Sequence, residues 1–156
     1  MKSNNLTFQV LDIIRGTTVD GPGFRTSIYL AGCDHRCPGC HNPQSWSPTA
    51  GTPMTLEEIL EIVQEEDFNV TLTGGDPLFI PEASTRLAKA ITEAGYTVWL
   101  YTGFTYEEIL ASENMRAILP YVEAIVDGPF IESLRDPDLQ FRGSSNQRII
   151  YILPNR

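Results

Sequence analysis

The chain has 156 residues, of which 20 are acidic and 11 basic, giving a formal net charge of −9. This length suits one domain spanning residues 1–156, and the acidic balance argues against a nucleic-acid partner, which needs clustered Lys and Arg. The sequence contains no apolar run that could span a bilayer and no signal-peptide pattern, so we expect a cytoplasmic protein without a membrane partner.

Short β-branched or apolar runs recur along the chain and predict strands. In chain order they are Thr7–Ile14, Thr26–Ala31, Asn69–Thr73, Thr97–Tyr101, Glu123–Val126 and Arg148–Leu153. The first run is predicted as an edge strand or a hairpin arm. The Pro-, Ser-, Thr- and Gly-rich stretch Pro43–Pro53 predicts a long loop that leads into a helix.

Helix signals occupy the intervals between these runs. Thr55 with Glu58, and Thr105 with Glu108, form two capping boxes, each of which predicts a helix start. A longer helix is predicted over Pro81–Ala94, with Gly95 as its C-terminal stop. A short helix is predicted over Glu113–Leu119, ending at Pro120.

This alternation of strands and helices predicts an α/β fold with a largely parallel sheet. About five parallel strands are too few to close an eight-stranded barrel, and one further N-terminal edge strand is possible. We therefore expect an open, partial (β/α) barrel.

Glycine-rich or polar clusters follow four of the predicted strands. They are Gly32-Cys33, Gly74-Gly75-Asp76-Pro77, Thr102-Gly103 and Asp127-Gly128-Pro129. One cluster is explained by a tight strand-to-helix turn. Four clusters at the carboxyl ends of neighbouring strands predict a ligand site, because that edge is where α/β sheets bind ligands.

All three cysteines lie within eight residues, at Cys33, Cys37 and Cys40. The C-x3-C-x2-C spacing is a poor disulfide framework and favours a metal site. Three thiolates suit a [4Fe-4S] cluster with one open iron, whereas electron-transfer clusters use four cysteines. Zinc bound by the three cysteines and either His35 or His41 is the alternative, and the spacing alone leaves it open.

The residues around these cysteines carry a more specific pattern. The motifs are Val19-Asp20-Gly21-Pro22-Gly23-Phe24-Arg25, Gly32-Cys33 through Cys40-His41-Asn42-Pro43, Leu72-Thr73-Gly74-Gly75-Asp76-Pro77-Leu78, Tyr101-Thr102-Gly103-Phe104 and Val126-Asp127-Gly128-Pro129-Phe130. Together they resemble the radical S-adenosylmethionine (SAM) enzymes, and within them the activases of glycyl radical enzymes. The tail Phe141–Arg148 resembles the branch that serves the anaerobic ribonucleoside-triphosphate reductase.

The resemblance implies a chemistry and a set of site residues. Cys33, Cys37 and Cys40 would ligate a [4Fe-4S] cluster as the catalytic centre, and SAM would bind its open iron. Gly74, Gly75 and Asp76 resemble the turn that meets the SAM amino group, and Gly39, Cys40 and His41 would border the adenine. Asp76 stands where much of the superfamily has Glu, so we assign it a binding role. Trp46 is a second candidate for the adenine contact, because Gly39 replaces the aromatic residue usual before the last cysteine.

Further predictions concern partners and residues away from the cysteine loop. The expected partners are the reductase and a flavodoxin-like or ferredoxin-like electron donor. Arg25 is predicted to pair with an acidic neighbour as scaffold. Asp127 either faces the ligands or caps the following turn, and Arg142–Gln147 is expected to bind substrate or dock the partner. Activation of another glycyl radical enzyme, action on a small molecule, and a Cys3His zinc module stay as alternatives.

Overall fold

The computed structural model describes residues 6–33, 35 and 47–152. Its strands are β1 (Thr7–Thr17), β2 (Arg25–Leu30), β3 (Thr52–Thr55), β4 (Asn69–Gly74), β5 (Val98–Tyr101), β6 (Ala124–Asp127) and β7 (Arg148–Tyr151). Its α-helices are α1 (Leu56–Glu66), α2 (Pro81–Glu93), α3 (Tyr106–Ala111) and α4 (Glu113–Arg116). Within the described residues, three single-turn 3-10 helices lie at Pro77–Phe79, Leu119–Tyr121 and Glu132–Leu134.

The seven strands form one open sheet in the order β3-β1-β2-β4-β5-β6-β7. The four central strands, β2, β4, β5 and β6, are parallel, which confirms an α/β fold with a parallel centre. The prediction of about five parallel strands is wrong for the last one, because β7 runs antiparallel to β6. The chain between them holds a single 3-10 turn and no crossover helix, and a parallel connection needs such a crossover. The sheet ends at β3 and β7 and does not close, so the predicted partial barrel is seen here only as an open sheet.

The N-terminal run forms a hairpin arm that is longer than predicted. β1 pairs antiparallel with β2, and β3 pairs with its other side, so β1 is not an edge strand. β3 begins at Thr52, inside the stretch that was predicted to be loop. This four-residue strand contains Pro53 and lies at the edge of the sheet, where the missing N–H of proline is tolerated.

The predicted helix starts are confirmed. Thr55 and Thr105 accept hydrogen bonds from the backbones of Glu58 and Glu108, whose side chains complete both capping boxes. α2 ends at Glu93, and Gly95 follows with a positive φ of 103°. The predicted Glu113–Leu119 helix is shorter, because α4 ends at Arg116 and the chain tightens into a 3-10 turn before Val122.

The two faces of the sheet are covered differently. Val98 and Leu100 point to one face, where they join the main hydrophobic core beneath the helices, including Leu87 of α2. Trp99, with Tyr101 packed beside it, lies on the other face in a smaller cluster covered by loops. Within the described ranges no helix is both long and apolar enough to cross a membrane.

Candidate active site

A cavity of about 130 Å³ lies at the carboxyl ends of the four parallel strands. Each of these strands contributes wall residues from the segment just after it, namely Cys33, Gly75, Gly103 and Gly128. Carboxyl ends of parallel strands share one edge of the sheet, so four separate turns converge there. The convergence that the sequence predicted is present, and we call this space the carboxyl-edge cavity.

Cys33 is the one predicted cluster ligand within the described residues. It follows β2 by three residues and is 8% exposed, with its side chain on the wall of the carboxyl-edge cavity. The other predicted ligands and adenine-contacting residues lie outside the described residues, and their roles stay predictions. They are Cys37, Gly39, Cys40, His41 and Trp46.

Asp76 is held by four hydrogen bonds although it is only 1% exposed. Its Oδ2 accepts from Thr102 Oγ1 at 3.0 Å and from the Gly103 backbone N–H at 2.9 Å, and it lies 2.7 Å from His35 Nε2. Its Oδ1 accepts from the Leu78 backbone N–H at 2.9 Å. The carboxylate therefore ties the turn after β4 to the turn after β5 and to the cysteine loop.

His35 is packed tightly at the floor of this site. Its ring meets Phe104 edge-on at 4.5 Å between centroids. A Cβ added at Gly103 would lie 2.5 Å from the imidazole, so a larger residue there would displace the ring. One ligand atom each of Cys33, His35 and Asp76 lie within 4.8 Å of one another, so these three side chains form a potential metal-binding group.

Gly74 and Gly75 have different structural roles in the turn after β4. Gly74 has a φ of 114°, and a Cβ there would lie 2.3 Å from the backbone N and O of Leu30. Glycine is thus required where β2 and β4 come together. Gly75 donates its N–H to Leu30 O at 2.8 Å and lines the carboxyl-edge cavity.

Arg25 clamps the Asp20–Arg25 segment onto the loop-covered face of the sheet. The side chain is 2% exposed and donates to Thr71 Oγ1, Val70 O and Pro22 O at 2.9 to 3.0 Å. Its guanidinium also lies 5.6 Å from the Trp99 ring centroid. Arg25 serves as scaffold, but the predicted pairing with an acidic neighbour is wrong among the described residues, since its three hydrogen bonds go to neutral hydroxyl and carbonyl oxygens. Burial lowers the pKa of Arg25 from its ordinary value.

The Arg142–Gln147 segment is folded back on itself by its own side chains. Gln147 Oε1 accepts from the backbone N–H groups of Gly143 and Ser144, at 2.8 and 3.2 Å, and its amide donates to Gly128 O at 3.0 Å. Asn146 donates to Pro129 O at 2.8 Å. Gln147 also lines the carboxyl-edge cavity, so this segment builds one wall of the site.

Asp127 was predicted either to face the ligands or to cap the turn that follows it. Asp127 is not among the residues that line the carboxyl-edge cavity, and its bonded partners lie on α3 and β7. Its carboxylate accepts from the Tyr106 backbone N–H at the start of α3 and from the backbone and guanidinium of Arg148. The Arg148 side chain reaches on to Glu107 at 2.7 Å. These ion pairs raise the pKa of Arg148 and lower that of Glu107.

Two aromatic wall residues, Tyr101 and Phe130, were quoted within sequence motifs but were given no role in the site. Tyr101 ends β5 and Phe130 follows β6, next to glycine-containing turns, and this position was the available signal.

Comparison with known proteins bears directly on this site. A family model described as a 4Fe-4S single cluster domain matches residues 19–150. A protein from Pasteurella multocida is 38% identical over 85% of this chain and 90% of its own length. A protein from Vibrio cholerae is 37% identical over 84% of this chain and 90% of its own length. A protein from Escherichia coli is 32% identical over 86% of this chain and 92% of its own length. All three are named anaerobic ribonucleoside-triphosphate reductase-activating protein. The chain belongs to this family.

Membership of this family favours an iron–sulfur cluster over the zinc alternative. The described residues fit such a group, because the buried Cys33 side chain lines a cavity to which Gly75, Gly103 and Gly128 also contribute. At these three positions there is no side chain to fill the space beside the thiol.

Proposed function

We propose that this protein is a radical SAM activase that generates the glycyl radical on an anaerobic ribonucleoside-triphosphate reductase. The observation that carries the proposal is the meeting of Cys33 with three glycine-lined turns at one sheet edge, in a chain of the 4Fe-4S single-cluster family. The names of the relatives supply the partner.

Cys33, Cys37 and Cys40 are the proposed ligands of a [4Fe-4S] cluster. Three protein thiolates leave one iron for the amino and carboxylate groups of SAM. A cluster held by these cysteines would supply the electron needed to cleave the sulfonium bond of SAM into methionine and a 5'-deoxyadenosyl radical, which would take a hydrogen atom from the glycine. The protein's own contribution is position, exclusion of water and tuning.

The proposed SAM site uses backbone more than side chains. Gly75 offers an open wall beside Cys33, and Gly39, Cys40 and His41 are proposed to border the adenine. Gly74 contributes by letting β2 and β4 approach closely. Gly74, Gly75 and Asp76 remain the proposed turn for the SAM amino group. Within that turn the Asp76 carboxylate accepts four hydrogen bonds, which hold the neighbouring turns in place.

The electron is proposed to come from a flavodoxin-like or ferredoxin-like protein in the cytoplasm. The reaction needs no acid–base pair, because the hydrogen is transferred as an atom.

The decisive experiment is anaerobic reconstitution with iron and sulfide, followed by reduction in the presence of SAM. We expect 5'-deoxyadenosine and, after the reductase is added, a glycyl radical signal in electron paramagnetic resonance. Absence of 5'-deoxyadenosine would refute the radical SAM assignment. Formation of 5'-deoxyadenosine without a radical on the reductase would refute the partner alone.

Cys33→Ser should abolish the cluster absorbance and the formation of 5'-deoxyadenosine, because only two thiolates would remain for the cubane. Lys89→Ala, on the exposed face of α2, is the control and should retain both. Iron content and the visible absorbance of the thiolate-to-iron bands measure the amount of cluster. Chromatography of the products measures the amount of 5'-deoxyadenosine. A Cys33→Ser protein with a full cluster would contradict the ligand assignment.

A further inference from the structure

Cys33 lies between two hydrogen bonds that both end on Asp76. The backbone N–H of Asp76 donates to Gly32 O, one residue before the cysteine, at 2.7 Å. The Asp76 carboxylate meets His35 Nε2, two residues after the cysteine, also at 2.7 Å. The start of the cysteine loop is therefore fastened to the turn after β4 on both sides of Cys33.

The imidazole of His35 is the donor in the second of these bonds. Asp76 Oδ2 also accepts from Thr102 Oγ1 and from the Gly103 backbone N–H. A carboxylate oxygen acts as an acceptor, so the His35 nitrogen that lies against it carries a proton. Hydrogen bonds to a carboxylate are about twice as strong as neutral ones, which makes this bond a firm attachment for the loop.

The imidazole is also held by its packing. Phe104 meets it edge-on, with 4.5 Å between the ring centroids. Gly103 leaves the space that the ring fills, because a Cβ there would lie 2.5 Å from His35 Cδ2. These two contacts keep the ring in the orientation in which Nε2 reaches Asp76.

We propose that His35 is a positioning residue, whose hydrogen bond to Asp76 holds the Cys33 thiolate in place beside the turn at residues 74–76. This inference rests on the proposed function, in which Cys33 ligates the cluster and that turn meets the SAM amino group. With the bond in place, the thiolate and the turn keep a fixed relative position. Without it, the loop loses its attachment to Asp76 on the far side of Cys33, and the thiolate can shift relative to the turn.

The first test uses the full-length protein without any cofactor. In a Cys37→Ser, Cys40→Ser background the one remaining thiol is that of Cys33, which is 8% exposed. His35→Leu should raise its rate of alkylation by iodoacetamide about tenfold, because local opening of the loop no longer breaks a hydrogen bond to a carboxylate. His35→Gln keeps an amide N–H donor and should stay within about twofold of the unsubstituted loop. Both variants lack the imidazole, so a difference between them reports the hydrogen bond, and equal rates would overturn the inference.

A second variant acts on the same bond without replacing His35. Gly103→Ala places a Cβ against the imidazole, which must turn away from Asp76. The rate of Cys33 alkylation should therefore rise about as much as in His35→Leu. Lys89→Leu, on the exposed face of α2, is the control and should leave the rate in place. A Gly103→Ala protein that is alkylated no faster than the control would also overturn the inference.

The third test measures positioning in the reconstituted holoenzyme, with the product counted per cluster. His35→Leu should raise the KM for SAM about fivefold, whereas His35→Gln should keep it within about twofold. Addition of SAM should also change the electron paramagnetic resonance spectrum of the reduced cluster less in His35→Leu than in His35→Gln. A KM for SAM that is the same in both variants would show that His35 only stabilises the loop, and would overturn its positioning role. Failure of the wild type to form 5'-deoxyadenosine would instead refute the proposed function, while the alkylation rates would still decide whether His35 anchors the loop.

Discussion

Asp76 shows how one buried side chain can hold together the turns around a site. Besides its four side-chain hydrogen bonds, its backbone N–H donates to Gly32 O at 2.7 Å, next to Cys33. A carboxylate can accept several hydrogen bonds at once, and each bond to a charged group is worth about 1.5–3 kcal/mol. The turn after β4 is thereby fixed to the turn after β5 and to the start of the cysteine loop.

Asp76→Asn should lower the free energy of unfolding by about 2–4 kcal/mol, because its NH2 group faces donors and leaves some of them unpaired. Urea unfolding of the anaerobic protein measures this. The exposed Glu82→Gln exchange on α2 should cost less than about 0.5 kcal/mol. Equal stability of the two variants would show that the Asp76 network contributes little.

At the scale of single elements, the helix starts follow from the local sequence, whereas the edge strands of the sheet do not. The capping boxes at Thr55 and Thr105 formed as predicted because both partners of each box are three residues apart in the chain. β7 was predicted in the right place but with the wrong direction, since direction depends on the connection that precedes it. β3 was missed because Pro53 breaks the strand pattern, and only pairing with β1 makes it a strand.

Thr55→Ala should destabilise the protein by about 1 kcal/mol, because the N–H of Glu58 at the start of α1 loses its acceptor. Thr55→Ser keeps the oxygen and should recover most of the loss. Thermal unfolding of the three proteins gives the comparison. If alanine and serine had the same effect, the hydroxyl of Thr55 would not be acting as a cap.

At the scale of the whole molecule, Asp127 joins three elements that are distant in sequence. Its buried carboxylate receives the Tyr106 N–H of α3 and the Arg148 backbone and side chain of β7, while Asp127 itself ends β6. The antiparallel edge strand is thus fastened to the parallel centre of the sheet. The wall built by residues 142–147 leads directly into this strand.

Asp127→Asn should lower the free energy of unfolding by about 1–3 kcal/mol, because one oxygen must replace two as acceptor at a buried position. The exposed Asp138→Asn exchange serves as control. Since the loss would loosen β7, hydrogen exchange of the Ile149 and Ile150 amides should increase most. Uniform exchange across the sheet would argue that Asp127 stabilises the fold without anchoring β7.

Local patterns in the sequence determined the helix starts, the central strands, the cysteine motif and the four glycine-containing turns, because each depends on residues only a few positions apart. The family resemblance carried by Asp20–Arg25 and Phe141–Arg148 was visible for the same reason. Only the tertiary structure decided that Arg25 rests on neutral oxygens and that Asp76 bonds to His35 and Thr102. Apart from the bond from Arg25 to Pro22 O, these hydrogen bonds join residues 26 or more positions apart. No short-range pattern specifies which of several possible partners a folded chain will bring together.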